Sequence, residues 1–396
     1  MQVHNDPLQN AAAIAMAAEL DPVIAERDIE ESTDALASSC DTVGAISRNV
    51  EQMGNGLESL ESYVSQFLDT VPEGDWNGRV ARQYQLGMHA VLGSMGIALE
   101  SNVYSASFEA VGVTQTGDEN RKDTEGKSKG MLKRLWDAFV AVIKSFIANV
   151  STFVTNLKNH AAAVKKMGAS LKAAAVASKG TPDQTEFEGR ASWTSYLQVG
   201  DADMAPENAV DKTTDLLRAY CNEWKGIYLA AATSVMVGKA FQESLGVGQE
   251  DGSTLTASVN TSDIKKTQNF PGNKTVAIED GTIGGLTLKV TLSGDAGVPS
   301  VKVLDNNGVQ GLADAIVMLG AEMEKQSDSL KEAVTTITRL QGKLKQDNMD
   351  KISPKVVSAL LAKVPSAVRT LMPLATDVAK GAYTHGKKSL ATFKAA

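Results

Sequence analysis

Between Leu132 and Leu171 an apolar or seam-forming residue recurs at alternating steps of four and three. Leu132, Trp136, Phe139, Ile143, Phe146, Val150, Phe153 and Leu157 set the register, and His160, Val164, Met167 and Leu171 continue it. That spacing aligns side chains along one face of an α-helix and along no face of a strand, so it predicts a single long helix with one continuous seam. A seam of this length must dock on partner helices, and the expected partners lie at about 205–245 and 310–347. Aromatic residues make up only 5% of the chain, which together with abundant alanine favours helical bundles over sheet cores. The expected fold class is therefore mainly α: a helical bundle with a long heptad-patterned helix and a small antiparallel β insertion.

Upstream, residues 9–19 read as an alanine-rich helix that Asp21-Pro22 ends, opening the next. Over 22–69 Val43, Ile46, Val50, Met53, Leu57, Leu60, Val64 and Leu68 recur at threes and fours, giving a helix with one buried stripe and an acidic outer face. A third helix is expected over about 76–99, carrying Val80, Tyr84, Met88, Val91, Leu92 and Met95. Downstream, 181–247 reads as helical again. Period-two runs then appear at 254–259, 275–278, 286–292 and 301–304, separated by Pro-Gly, Gly-Gly and Asn-Gly signals, and predict the β insertion. Helices resume over 310–347 and 354–390, punctuated by Pro354, Pro365 and Pro373.

Charge divides the chain as sharply as hydropathy does. All 29 lysines lie beyond Asn120; up to Glu109 there are seventeen acids against four arginines, a net of −13, and the remainder nets +5. Between Gly126 and Gly180 ten bases face one acid, Asp137; 181–338 nets −10, and 339–396 nets +8. The 101–130 region, uncharged at first apart from Glu109 and then polar and glycine-punctuated, reads as an exposed linker. The resulting organisation is 1–109, an acidic helical N-terminal region; 110–130, a linker; 131–252, a helical body; 253–306, the β insertion; and 307–396, a C-terminal helical region that is basic at its end.

Lys144, Lys158, Lys165, Lys172 and Lys179 each fall at sevens just after the seam and form a stripe expected to point away from the packed side. Two readings of it stand: a solvated bundle face, or nonspecific contact with nucleic-acid backbone through counterion release. Neither a recognition helix nor stacking aromatics accompany it, so base-specific readout is not expected.

Motifs of catalysis and metal binding are absent from the sequence. Gly126-Lys127-Ser128 lacks the strand and upstream glycine of a phosphate loop, and His4, His89, His160 and His385 have no metal spacing. Cys40 and Cys221 are read as packing residues. No catalytic residue, cofactor or metal ligand is nominated. The N-terminus does not read as a secretory signal, and no membrane-spanning helix is expected.

The stretch Tyr104-Ser105-Ala106-Ser107-Phe108-Glu109-Ala110-Val111-Gly112 places a small residue two positions before a glutamate and an alanine after it. It resembles the sites cut by the head-maturation proteases of tailed phages, especially giant phages of the phiKZ type. Ten glutamates satisfy that short pattern, yet Glu109 coincides with the charge boundary, and Glu100-Ser101 offers a second position. Further along, the segment Gly130-Met131-Leu132-Lys133-Arg134-Leu135-Trp136-Asp137-Ala138-Phe139 is similar to the mature start of the internal head proteins of those phages. The resemblance implies a structural protein made in the host cytoplasm, housed in the phage head and cut between Glu109 and Ala110. Its implied partners are the maturation protease, packaged DNA and other head proteins. Removal of 1–109 would take the net charge from −8 to +5, suiting residence beside DNA. The alternative is an interaction or membrane-active protein that uses the amphipathic 131–157 helix, with Trp136, Phe139, Phe146 and Phe153 on its apolar side.

Overall fold

The long seam does form one helix, and it is longer than its apolar pattern. In the computed structural model, which describes residues 22–94, 117–187, 192–200, 202–237, 267–279, 287–292, 301–344 and 354–394, helix α3 runs Gly117–Ala177. Phe139, Ile143, Phe146, Val150, Phe153, Leu157, His160, Val164, Met167 and Leu171 are all buried. Only the start of the register shifts, because Met131 and Leu135 are buried while Leu132 and Trp136 are half-covered.

The exposed linker expected over 110–130 is thus corrected from Gly117 onward. Asp118 and Glu119 sit in the first turn, where carboxylates oppose the helix dipole. Lys127 pairs with Asp123 and Lys129 with Glu125, one helical turn apart. Thr124 and Ser128 occupy seam positions and are fully buried, so the stripe continues in polar residues that hydropathy does not register. Gly126 and Gly130 have open space where a side chain would stand.

Two long helices flank α3, both antiparallel to it. Helix α1, Pro22–Thr70, buries Ala25, Ile29, Leu36, Val43, Val50, Leu57 and Leu60; it is followed by a single 3-10 turn and by α2, Gly78–Ser94. Asn77 begins α2 by accepting the backbone N–H groups of Arg79 and Val80 on its side-chain oxygen, at 3.0 and 3.2 Å. Helix α4 is Pro206–Val237, and helix α5, Asn306–Leu344, lies along the other side of α3. At the junction of α3 and α5 Asp305 accepts the N–H of Gly308 at 2.7 Å, while Asn306 donates to the carbonyls of Ala175 and Ser178, so adjacent residues cap two helices.

Helices α6, Pro354–Lys363, and α7, Ser366–Leu390, complete the bundle. Helix α7 is buried on nearly every side, which its small and apolar residues allow. Pro373 inside it cannot donate to the Arg369 carbonyl, and the Cys40 thiol of α1 meets that oxygen at 3.9 Å.

The long helix packs on α1, α5 and α7. Helix α4, expected as a direct partner, instead packs mainly on α5 and α7. The described residues of 181–203, expected as helix, form short pieces. Strand β1, Thr181–Pro182, pairs with β7, Phe393–Lys394; a 3-10 turn, Ser192–Leu197, leads to the hairpin of β2, Gln198–Val199, and β3, Ala202–Asp203.

The β insertion is a three-stranded antiparallel sheet in the order β4-β5-β6: Thr267–Phe270, Lys274–Glu279 and Thr287–Leu292. Gly272 and Asn273 take positive φ at its tight turn. Phe270, Val276 and Ile278 are buried, and Tyr220 of α4 donates to the Val276 carbonyl at 2.8 Å. Of the expected strands, 275–278 and 286–292 correspond to β5 and β6, and 301–304 contributes only an isolated bridge between Lys302 and Glu186. The expected helix at 9–19 and strand at 254–259 lie outside the described residues.

Candidate functional site

The lysine stripe meets an acidic helix. Lys158 pairs with Asp328 at 2.5 Å, Lys165 with Glu324 at 2.7 Å and Lys172 with Asp314 at 2.7 Å, so three successive stripe positions reach across to α5. The expectation that the stripe points away from the packed side is corrected for these three residues. A position just after the seam borders the helix interface rather than opposing it, and the block alternation of charge becomes complementarity between α3 and α5. Lys144 and Lys179 are exposed and have no ion pair among the described residues. Each bridge is partly solvated and contributes at most about 1 kcal/mol, so the bridges set register more than stability.

Between these charges the two helices approach closely. A Cβ at Gly168 would lie 2.7 Å from the Ala313 carbonyl oxygen, and one at Gly320 would lie 2.9 Å from the Lys165 nitrogen and 3.0 Å from the Ala161 oxygen.

The acidic N-terminal region is seated in the same core as the body. Asp28 pairs with Lys166 at 2.8 Å and Glu26 with Lys387 at 2.5 Å, placing acids of α1 on bases of α3 and α7. Arg121 donates to the carbonyls of Val71, at 2.7 Å, and Leu68, closing the end of α1. Tyr84 of α2 and Ser128 of α3 are hydrogen-bonded at 3.0 Å. Gly54 lies flush on α6, where a Cβ would stand 2.9 Å from the Pro354 carbonyl.

His160 joins α1, α3 and α7. Nε2 of His160 is hydrogen-bonded to Thr376 Oγ1 at 2.7 Å and Nδ1 to Ser32 Oγ at 3.0 Å; each hydroxyl also lies against a carbonyl of its own helix, Met372 O and Ile29 O, and the neutral ring donates to one hydroxyl and accepts from the other. Burial, with a smaller contribution from Lys380, lowers its pKa to about 4, keeping the ring neutral. His385 is comparable: Nε2 donates to Lys302 O and Nδ1 accepts from Tyr196, each at 2.8 Å, and burial lowers its pKa against the opposing carbonyl bond. Cys40 is pushed up to about 11, by burial first and against the pull of Arg369; burial also raises Cys221. Both cysteines are buried thiols, and among the described residues no cluster of metal-ligating side chains occurs.

The nominated cleavage residues, Ser107, Phe108, Glu109 and Ala110, with Glu100 and Ser101, lie outside the described residues. In sequence they fall between α2 and α3, so either cut would break the covalent link between α1–α2 and the remaining helices.

Two stretches, Arg121–Ala177 and Pro354–Leu390, contain windows long and apolar enough to cross a membrane, where the sequence pattern predicted none. Core helices meet the same criterion; 39% of the first window and 72% of the second are buried. Of the four aromatics nominated for a membrane face in α3, Phe139, Phe146 and Phe153 are fully buried against protein and Trp136 is half-buried.

The internal polar seam and the N-terminal seat have little signature in the sequence. The only local signals for the first are the acid–lysine pairs one turn apart in 117–130.

A family model of phiKZ-like phage internal head proteins matches residues 15–394. The match takes in the acidic N-terminal helices as well as the basic body. Neither a curated protein nor a solved structure matches the chain.

Proposed function

Because the chain belongs to the phiKZ-like phage internal head proteins, and hence to the interior of the phage head, we propose that it is a non-enzymatic structural component matured by cleavage after Glu109. The head-maturation protease is the proposed partner for that step, with Glu100 as the second position. The carrying observation is a pair of composition boundaries: the acidic sequence ends at Glu109 and the lysine-free sequence ends at Asn120.

Glutamates of the same short pattern in α1, such as Glu58 and Glu61, lie in helix, and a protease could accommodate them only after local unfolding. Other head proteins are the proposed neighbours. Contact with packaged DNA is electrostatic and independent of sequence, and ejection with the genome accords with that loose association. Lys144 and Lys179 are the stripe residues suited to DNA contact, because Lys158, Lys165 and Lys172 are neutralised by α5.

N-terminal sequencing of the protein from purified particles tests the reading. The expected terminus is Ala110, with Ser101 as the second; a particle-resident chain that retains an unbroken 100–110 segment overturns it.

A further inference from the structure

We infer that cleavage between α2 and α3 does not release the N-terminal piece: α1 and α2 stay seated on α3, α6 and α7, and the matured protein is a two-chain body. This rests on the proposed maturation and holds for a cut at either Glu109 or Glu100, since both lie beyond Ser94 and before Gly117.

The seat has the properties of a protein interior. Ile29, Leu36, Val43, Val50, Leu57 and Leu60 of α1 and Tyr84, Met88 and Leu92 of α2 are at most 3% exposed and share one continuous core with the body. Departure would return those side chains to water and simultaneously uncover Phe139, Phe146 and Phe153 on α3 wherever α1 and α2 cover them. Cutting one peptide bond in the connecting segment changes none of these contacts. It adds only the freedom of two chains to separate, which burial on this scale opposes.

Polar groups reinforce the seat along its whole length. Ser32 and Asn156 bond across α1 and α3 at His160 and Ala35, Arg121 holds the end of α1, and Tyr84 meets Ser128. At the other end Asp28 and Glu26 hold Lys166 and Lys387. Loss of α1 would leave Nδ1 of buried His160 without Ser32 and two lysines without their acids. Gly54, with no room for a side chain against Ser358 and Pro354, shows a surface fitted to α6 rather than loosely laid on it.

One consequence concerns charge. A retained N-terminal piece keeps the assembly at the intact chain's −8, so DNA contact is confined to local basic patches instead of a uniformly basic product.

The test replaces 105–111 of the full chain with the recognition sequence of a site-specific protease, cuts it to completion and runs gel filtration without denaturant at micromolar concentration. Both pieces are expected to co-elute at the position of the uncut chain and to separate only in denaturant. Elution of the N-terminal piece alone, or precipitation of the larger piece, overturns the inference. Because the engineered protease replaces the phage enzyme, this result is independent of where the phage enzyme cuts. An uncut chain in the particle would overturn the maturation reading while leaving the co-elution to be judged by itself.

Discussion

Ser32 Oγ on α1 is hydrogen-bonded to Nδ1 of His160 on α3 at 3.0 Å, across 128 positions of sequence, and Thr376 Oγ1 of α7 is hydrogen-bonded to the opposite ring nitrogen at 2.7 Å. That bond ties the acidic N-terminal region to the basic body at a point where neither solvent nor a charged ring is accommodated.

This burial makes stability depend on pH. The unfolded imidazole takes up a proton near pH 6.5 whereas the folded one resists protonation until about pH 4, so between those values the unfolded state binds more protons. Stability should be full above pH 6.5, fall as pH drops through this window and level off below it, with a loss of roughly 3 kcal/mol attributable to His160. Urea midpoints across pH 7.5 to 4 measure it. His160→Gln should flatten the curve, leaving the smaller contribution of His385; an undiminished slope in that variant contradicts the assignment.

Glycine positions should respond with opposite signs. Gly320→Ala sets a methyl against the backbone of α3 and should cost about 1–3 kcal/mol despite alanine's better helix propensity. Gly130→Ala, in open space within the same long helix, should stabilise by about 0.5–1 kcal/mol. Thermal unfolding of both variants separates helix propensity from helix contact.

Much of this architecture is legible from local pattern, because Phe139 to Leu171 record burial every three or four residues. What local pattern does not carry is pairing between distant segments. Ser128 is a core position because Tyr84 of α2 meets it, so 117–130 reads as linker in sequence and is helix in structure. Lys158 and Asp328 are complementary only because α3 and α5 run antiparallel, and one-dimensional charge counting sees two separate blocks. Asn306 caps α3 from the start of α5, where sequence shows an Asn-Gly turn signal. The 181–203 region misleads in the reverse direction: Trp193 and Tyr196 look like helix bulk, yet Gly180, Pro182 and Gly200 break it into short pieces.

Charge reversal should expose the α3–α5 complementarity. Lys158→Glu places two carboxylates together and should destabilise by up to about 1 kcal/mol, and adding Asp328→Lys should restore stability. Chemical denaturation of the four-member cycle measures the coupling, and additive effects of the two changes would contradict a direct pair.

DNA retention should divide the stripe. Lys144→Ala with Lys179→Ala should lower the slope of log affinity against log salt by about 2, since each neutralised phosphate accounts for about 0.9 of that slope. Alanine at Lys158, Lys165 and Lys172 together should leave the slope unchanged. Fluorescence anisotropy of duplex DNA over a salt series reads both, and the reverse pattern would assign the binding to the residues that face α5.

The central claim, a head protein cut after Glu109 whose N-terminal helices remain in place, is tested most directly by absolute quantification of its peptides in purified particles with isotope-labelled standards. The account predicts a terminus at Ala110, or at Ser101, with peptides from Pro22–Thr70 equal in amount to those from Asn306–Leu344. Full-abundance peptides spanning both candidate cuts would contradict the cleavage, and loss of the Pro22–Thr70 peptides beside a new terminus would contradict the retention.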